Sequence, residues 1–448
     1  MSSPLALAAG VPGSVSAAVA DLAGRSVVLV QVDPSTRRGA LDADAGATLA
    51  LAADAALDAH LPLVGVVTSS GADVHAGVAA LHGWGTAARS FARCSGVVPI
   101  LIAVTGPTIS GPALLLGMAD VVVMTEAASA YVVGPPAVAS FTGEQVDPHS
   151  LGGASVHATQ TGVAAAVRAD QEQALELLTS VLAHLPDHCD AEPPTWATWD
   201  PVDRPTPEAG AVLPPTASGS YDVLDVARAL ADEGEVLELW GGWAPNLVTA
   251  FATVGGRPVG IVANQPLALA GSIDISASQK GARFVGLCDA FNVPLVTLVD
   301  TSGFFPGKDR EWRGMIRHGA QLVGAYARAT VPRVCVVLRK AYGGAYIVMD
   351  SKTMGNDVCL AWPSAELAVM GARQAAGILH RREGGEVRAA KEAEYATTLL
   401  NPWMAAERGY VDAVIDPADT RRAVATSLEM LRSKRELLPR RAHDNLPL

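Results

Sequence analysis

The stretch VPRVCVVLRKAYGGAYIVM, residues 331–349, puts a buried apolar run ahead of a pair of glycines and a second apolar segment. The run Val334–Leu338 predicts a strand, and Gly343-Gly344-Ala345 predicts a turn that leads into a helix. Adjacent glycines let a ligand approach the backbone, and the first amides of a helix have no acceptor within that helix. Backed by the helix dipole, such amides can hold an oxygen that becomes negative during a reaction. A purely structural strand–turn–helix connection, whose glycines only allow close packing, would show the same sequence pattern. Other segments of the chain must therefore decide whether this turn binds a ligand.

Four blocks of the chain occur twice in the same order, separated by a nearly constant number of residues. The first two pairs are offset by 232 residues, the third by 233 and the fourth by 237. The pairs are Arg25–Pro34 with Arg257–Pro266, Leu61–Gly71 with Val293–Gly303, Val98-Pro99 and Gly111 with Val331-Pro332 and Gly344, and Asp120 with Asp357. Chance does not produce such order, and we infer a tandem duplication of one unit of about 200 residues.

Within each copy, short apolar strands alternate with helical stretches, which is typical of an α/β fold with parallel strands covered by helices. We predict an alanine-rich arm or short helix over residues 1–24. A first domain then covers residues 25–220 and a second domain covers residues 221–448. The first domain ends in a proline-rich linker, residues 186–220, which we expect to be stiff and partly extended.

Charge argues against nucleic acid as a partner. The formal net charge is −12 and the sequence pI is about 5.3. No basic stripe runs along the sequence, which excludes a general nucleic-acid surface. The one basic cluster, residues 432–441, is typical of a solvated tail.

No segment predicts a membrane span or a secretion signal. Residues 1–25 lack a basic region followed by an apolar run. The uncharged stretch Gly96–Ala119 has the length of a membrane span, but Pro99, Pro107 and Pro112 interrupt it. It predicts a buried strand, a turn and a core helix instead.

The five cysteines are scattered along the chain, and no two have metal-ligand spacing. An odd, scattered set indicates reduced thiols in a cytoplasmic protein. We therefore expect a cytoplasmic location, no metal and small core residues at Cys94, Cys189, Cys288, Cys335 and Cys359.

Several segments resemble one family closely. They are residues 263–294, 300–322, 339–349 and 361–379 in the second copy, with residues 138–164 in the first. The chain is similar to the carboxyltransferase (β) subunit of biotin-dependent acyl-CoA carboxylases, of the actinobacterial acetyl/propionyl-CoA type. The similarity runs from about Val27 to the C-terminus.

The resemblance implies two tandem crotonase-like ββα-spiral domains per chain. It also implies a hexameric ring, of identical copies or mixed with another β subunit, and an α subunit that carries biotin. The carboxyl group then moves from carboxybiotin to the α carbon of a short acyl-CoA, acetyl-CoA or propionyl-CoA. No side chain serves as an indispensable acid or base. Two backbone oxyanion holes, one per domain, stabilise the charged oxygens of biotin and of the acyl group.

Carried onto this sequence, the resemblance assigns roles to eight residues. The biotin-side hole falls on two amides of the second copy, and the acyl-side hole falls on the matching residues of the first copy. Ile347 falls where the family shapes the acyl pocket, although a core-helix residue is the alternative. The remaining expected contacts to substrate are close to the two turns. The residues are Gly344 and Ala345, Gly111 and Pro112, Ile347, Tyr346, Gly343 and Gly71.

The first copy departs from the family. Pro112 has no backbone N–H, and one lost oxyanion donor costs about 2.7–4 kcal/mol of transition-state stabilisation. Asp73 and Ala76 stand where the family has an arginine and a glutamate. Three hypotheses follow: an active carboxyltransferase with an altered acyl-side hole, a non-catalytic or half-active partner in a mixed ring, and a biotin-dependent decarboxylase or transcarboxylase.

Overall fold

The computed structural model describes residues 5–7, 13–216, 219–434, 436–440, 442 and 445. The chain forms two compact units. The first unit comprises Met1–Pro194, Trp240–Trp243 and Ala290–Asn292, and the second comprises Thr195–Leu239, Ala244–Asp289 and Val293–Leu448.

Each unit is built on one eight-stranded sheet. The first sheet has the order β1-β2-β3-β4-β5-β6-β8, with β7 also paired to β5, and the second has the order β16-β14-β13-β12-β11-β10-β9, with β15 paired to β13. The strands of the first sheet are β1 Leu5–Ala6, β2 Val15–Leu22, β3 Arg25–Val32, β4 Leu63–Ser69, β5 Ile100–Ile109, β6 Val121–Thr125, β7 Ser129–Tyr131 and β8 Ala166–Arg168. Those of the second are β9 Val236–Leu239, β10 Leu247–Val254, β11 Arg257–Asn264, β12 Leu295–Thr301, β13 Arg333–Tyr342, β14 Val358–Ala361, β15 Glu366–Ala368 and β16 Ala413–Val414.

Helices connect the parallel strands of both units. Those of the first unit are α1 Ala43–Ala59, α2 Val78–Cys94, α3 Gly111–Leu116, α4 Pro135–Thr142, α5 Pro148–Gly152, α6 Ala154–Val156 and α7 Gln171–Leu182. Those of the second are α8 Pro207–Ala211, α9 Val223–Leu230, α10 Ile275–Ala290, α11 Lys308–Trp312, α12 Met315–Arg328, α13 Gly343–Val348, α14 Ala372–Leu379, α15 Gly385–Leu399, α16 Pro402–Glu407 and α17 Thr420–Met430. The helix α10 ends at a residue that the division into units assigns to the first unit.

The predicted α/β duplication is confirmed by the pairing of the strands. In the first unit β3, β4, β5 and β6 are parallel neighbours, and β2 is antiparallel to β3. In the second unit β11, β12, β13 and β14 are parallel neighbours, and β10 is antiparallel to β11. The stretch Gly96–Ala119 forms β5 and α3, as predicted.

The predicted arm or helix at residues 1–24 is wrong for Val15–Leu22, which is the strand β2. This strand pairs with β3 in register from Val15 to Leu22, and a tight turn at Ala23-Gly24 joins them. Apolar and polar residues alternate along its first half, and Val15 and Ala17 are buried. Alanine-rich composition favoured a helix, but the alternation and the turn override it. Residues 1–4 and 8–12 of the predicted arm lie outside the described part of the chain.

The proline-rich stretch 186–220 is only partly extended. It contains the short helix α8, and the buried Thr206 donates its N–H to the carbonyl of Ala418 at 2.8 Å. Residues 217 and 218 of the predicted linker lie outside the described residues. Packing of this kind fixes this part of the stretch within the second unit.

Neither a membrane span nor a metal cluster is found among the residues that the structure describes. None of the helices there combines the length and apolar character needed to cross a bilayer. Within the same residues, no group of three or more histidine, cysteine or acidic side chains could hold a metal ion.

Candidate active site

Turns with a positive φ at equivalent positions follow β5 and β13. After β13, Gly343 has a φ of +60° and begins α13. After β5, Ser110 has a φ of +63° and precedes Gly111, the first residue of α3. This region of φ favours glycine, so the first copy holds a serine there under strain. We call residues 110–112 the first turn and residues 343–345 the second turn.

The second turn exposes its backbone on one side and buries side chains on the other. Gly344 and Ile347 are exposed, whereas Ala345 and Val348 are buried. Gly344 and Ile347 stand three residues apart on α13, so they face the same side. The interpretation of Ile347 as a core residue is wrong, because 38% of its surface is exposed. The amides of Gly344 and Ala345 lie where the helix itself supplies no acceptor.

Tyr346 lies mostly inside the second unit. Burial raises the pKa of its hydroxyl, and the nearby thiols of Cys359 and Cys335 raise it further. These cysteines face each other on β14 and β13. The structure therefore places the Tyr346 hydroxyl beside the sheet rather than on the exposed face of α13.

A buried ion pair supports the strands that lead to the second turn. Arg339 donates from Nε to the carboxylate of Asp300 at 2.9 Å and from Nη1 to the carbonyl of Gly219 at 2.8 Å. The backbone N–H of Lys340 also donates to Asp300, at 3.2 Å. Burial raises the pKa of Asp300, and the charge of Arg339 opposes that rise. Arg339 is thus bound inside the protein and locks β12 to β13.

The first turn has fewer donors than the second. The N–H of Ser110 donates to the carbonyl of Tyr131 at 3.0 Å, and Pro112 has no N–H. Trp84 of α2 lies against Gly111, because a Cβ built on that glycine would stand 2.8 Å from the indole. The amide of Gly111 is therefore the only N–H that the last two residues of this turn can offer.

Gly71, which the sequence assigned to substrate contact, lies next to the first turn. A Cβ built on Gly71 would stand 3.2 Å from the carbonyl oxygen of Ile109, the residue before Ser110. The carbonyl of Gly71 accepts from the N–H of Leu41 at 2.8 Å, which holds the loop in place. The structure thus brings Gly71 together with the first turn, and the remaining candidates together around the second turn.

The acidic residue that departs from the family is paired within the first unit. Asp73 is buried and accepts from Nη1 of Arg37 at 2.8 Å and from the N–H of His75 at 3.0 Å. Arg37 also pairs with Asp42 at 2.9 Å. The hydrogen bond from Arg37 holds the pKa of Asp73 below its usual value. The negative charge of Asp73, which stands where the family has an arginine, is therefore compensated by Arg37 of the loop after β3.

Two aromatic neighbours of the turns were not predicted from the sequence. Phe304 lies beside Gly344, with its ring 3.5 Å from where a Cβ would stand. Trp84 lies beside Gly111 in the first unit. The carboxyl end of β12 was the available signal for Phe304, because ligands of α/β sheets bind at such strand ends. Trp84 lies within a helix, and no local pattern marks it.

Comparison with known proteins agrees with this geometry. A profile of the carboxyl transferase domain matches residues 5–446. The chain is 43% identical to the propionyl-CoA carboxylase β chain of Saccharopolyspora erythraea, over 95% of this chain and 81% of that protein. It is also 43% identical to the methylmalonyl-CoA carboxyltransferase 12S subunit of Propionibacterium freudenreichii subsp. shermanii, over 86% and 75%.

A solved structure extends the similarity to the whole fold. Transcarboxylase 12S, described as a hexamer with methylmalonyl-coenzyme A and methylmalonic acid bound, aligns with a TM-score of 0.95 at 40% identity. The alignment covers 97% of this chain and 85% of that chain. The resemblance to carboxylase β subunits and the crotonase-like fold are thereby confirmed, and the chain belongs to the carboxyl transferase family.

Proposed function

We propose that this chain is the carboxyltransferase component of an acyl-CoA carboxylase that acts on acetyl-CoA or propionyl-CoA. The observation that carries the proposal is the second turn, which presents Gly344 and Ile347 on one exposed face. Carboxybiotin, carried by an α subunit, would supply the carboxyl group. The residues of this chain would bind, orient and electrostatically stabilise the two reactants.

At the second turn, the amides of Gly344 and Ala345 would donate to the ureido oxygen as it becomes negative. Backbone N–H groups need no change of protonation and are held in place before the reaction, which makes them effective electrostatic stabilisers. The pair of Asp300 and Arg339 keeps β12 and β13 in register behind the turn. This support matters because a donor that is misplaced by about 1 Å loses much of its effect.

At the first turn, the amide of Gly111 would donate to the thioester oxygen of the acyl-CoA. Pro112 offers nothing there, so the acyl side is weaker by the contribution of one donor, about 2.7–4 kcal/mol unless another group replaces it. This asymmetry is the observation that favours the second candidate function, a half-active partner in a ring with a more complete β subunit.

Ile347 supports a short acyl group. Its side chain is partly exposed next to Gly344, so it offers an apolar wall close to the reacting carbon. Burying a short alkyl group against such a wall stabilises binding, at about 0.8 kcal/mol per methylene. Charged or hydroxylated acyl groups gain nothing from this contact.

Each unit leaves apolar side chains exposed around its turn, which supports assembly with further copies. The exposed residues fall at equivalent positions of the duplication, and exposed apolar clusters mark interaction surfaces. They are Leu114, Val132 and Phe141 in the first unit, and Ile347, Val369 and Ile378 in the second. The helix α15 also has no buried residue, although helices of this length depend on packing.

We therefore propose that a second copy of this chain, or a related β subunit, covers these surfaces in a hexameric ring. The active site would then form where the first unit of one copy meets the second unit of another. The transcarboxylase 12S structure, described as a hexamer, supports this assembly. Light scattering on the purified chain tests it, because a monomer at micromolar concentration would contradict the proposal.

Reconstitution tests the function directly. The purified chain is combined with a biotin-carrying α subunit, bicarbonate, ATP and acetyl-CoA or propionyl-CoA, and the carboxylated product is measured. We expect product to form when this chain is the only β subunit in the assay. Product that forms only after a second β subunit is added would favour the half-active partner instead. Net carboxyl transfer from methylmalonyl-CoA to a second acceptor substrate, in the presence of the α subunit but without ATP, would favour a transcarboxylase, the activity named for one relative.

A further inference from the structure

A close contact between two helices fixes the backbone next to Trp84 in the first unit. A Cβ built on Gly46 of α1 would stand 2.2 Å from the backbone carbon of Gly83 in α2. In the other direction, a Cβ built on Gly83 would stand 2.4 Å from the carbonyl oxygen of Asp42. Only glycines permit such a close approach, so the two helix backbones fix each other. The backbone of the neighbouring residue Trp84 therefore has a defined position.

The indole of Trp84 covers Gly111 of the first turn. A Cβ built on Gly111 would stand 2.8 Å from Cδ2 and 2.9 Å from Cε2 and Cγ, all atoms of the five-membered ring. The nitrogen Nε1 is bonded directly to Cε2, so the indole N–H lies beside this glycine. The side chain is half-buried, and its N–H makes no hydrogen bond within the described residues. A side chain with an unused donor thus covers Gly111.

In the second copy, the backbone keeps its donor and the aromatic neighbour has none. There the aromatic neighbour of Gly344 is Phe304, which has no donor, and Ala345 keeps its N–H. Phe304 comes from the loop after β12, and the equivalent residue of the first copy, 232 positions earlier, is Ala72. The first copy has therefore lost a backbone donor at Pro112 and gained an aromatic side chain with a donor from another element.

We propose that the indole N–H of Trp84 replaces the missing amide of Pro112 and donates to the thioester oxygen of the acyl-CoA. This inference rests on the proposed function. When the α C–H bond breaks, the electron pair moves to the thioester oxygen, and the biotin carried by the α subunit would take the proton. The charge on that oxygen is then shared between the amide of Gly111 and Trp84. An indole N–H is a donor only, which suits an oxygen that becomes negative.

The catalytic test is a double-mutant cycle with Pro112→Ala. Trp84→Phe keeps an aromatic ring over Gly111 and removes the N–H. We expect it to lower kcat for carboxylation at least about tenfold in the natural background. In the Pro112→Ala background the restored amide compensates, and we expect a loss under about threefold. Trp199→Phe, at a residue that is 98% exposed, is the matched control and should leave kcat unchanged.

A binding test separates this inference from the proposed function, because it requires no turnover. The dissociation constants of two CoA thioethers are compared, one with a nitronate in place of the enolate and one with a neutral alkyl group. We expect Trp84→Phe to weaken nitronate binding at least about tenfold and to leave the neutral thioether unchanged. The melting temperature of each variant shows that it is folded.

Three outcomes decide the matter. Equal losses from Trp84→Phe in both backgrounds indicate a packing role and overturn the inference, as does nitronate affinity that is independent of Trp84. Failure of the natural protein to bind either thioether overturns the proposed function together with the inference. A loss that appears only when Pro112 is present, in both turnover and nitronate binding, establishes Trp84 as a catalytic residue.

Discussion

The first and second turns share a positive φ at equivalent positions but differ in the donors that they offer. Ser110 and Gly343 have φ values of +63° and +60°, although only glycine adopts this conformation without cost. Strand pairing holds both turns, since β7 pairs with β5 and β15 pairs with β13 just before each turn. The duplication has therefore kept the shape of the turn, which the sheet dictates, and has let the chemistry of the two copies diverge.

The cores of the two copies show the same principle in their packing. In the first unit, Val28 of β3 belongs to a buried cluster that includes Ala52 and Ala56 of α1. The equivalent residues of the second unit, 232 positions later, are Gly260, Phe284 and Cys288. The first copy has the larger residue on the strand and alanines on the helix. The second copy has glycine on the strand and the larger residues on the helix. In each copy, one larger side chain fills the space between the strand and the helix, as close-packed cores require.

The two copies differ most in what lies behind the turns. The second unit has the buried pair of Asp300 and Arg339, whereas the equivalent positions of the first are Thr68 and Gly106. A Cβ built on Gly106 would stand 2.8 Å from Cγ2 of Thr68, so the threonine methyl fills this space. An uncharged contact therefore replaces an ion pair in the first copy.

Arg339→Met should have the largest effect on stability. It leaves the carboxylate of Asp300 buried without its charge partner, which costs about 3–5 kcal/mol of unfolding free energy. The pKa of Asp300 is already raised by burial and rises further without the arginine. Because the folded state then binds more protons than the unfolded state, stability falls as pH increases. Urea unfolding at pH 5 and pH 8 should show a larger loss at pH 8.

A loss for Arg339→Met that is equal at the two pH values would contradict this account of the pair. Asp300→Asn combined with Arg339→Met is the control, because it removes the titrating group. The double variant should lose its pH dependence over this range. Its stability should exceed that of Arg339→Met alone at pH 8, since replacing both partners leaves no unpaired buried charge.

Gly260→Val should have an intermediate effect. A Cβ at this position would stand 2.4 Å from Sγ of Cys288 and 3.2 Å from Cε1 of Phe284, so overpacking should cost about 1–3 kcal/mol. Adding Phe284→Ala and Cys288→Ala reproduces the arrangement of the first copy and should recover part of the loss. Urea unfolding of the single and triple variants measures this. A triple variant that is less stable than Gly260→Val would show that the two cores are not equivalent.

Ser110→Gly should have the smallest effect. It relieves the strain of a positive φ but adds entropy to the unfolded chain, so we expect a gain below about 1 kcal/mol. Gly343→Ser is the matched control and should destabilise, because its side chain would approach the carbonyl oxygen of Val369, 3.2 Å from the position of a Cβ. Thermal unfolding of the two variants should therefore shift in opposite directions. Shifts in the same direction would contradict the equivalence of the turns.

Sequence patterns predicted the features that depend on local or repeated order. The alternation of strands with helices predicted the parallel strands, and the offset of the duplication matched the two turns residue by residue. The β2 strand was missed because alanine is only weakly apolar, so its alternation with polar residues resembles a helical surface. Its position became clear only through pairing with β3, which depends on the whole sheet.

The contacts that support the turns could not be predicted, because they join residues distant in the chain. Asp300 and Arg339 are 39 residues apart and meet because β12 and β13 are parallel neighbours. Trp84 reaches Gly111 only after α2 has packed against α1 through Gly83. For Ile347, the sequence left two interpretations open, and exposure of the side chain excludes the core-helix interpretation.

The central claim is that main-chain N–H groups of the second turn stabilise the charge on biotin. Ala345→Pro removes one of these groups in the way that Pro112 does in the first copy, and a proline is tolerated in the first turn of a helix. The account predicts that carboxyl transfer falls by about 10²–10³-fold, while the assembly keeps its mass. Ala345→Gly, which retains the N–H, should stay close to the natural rate. Undiminished transfer by a folded Ala345→Pro variant would contradict the account.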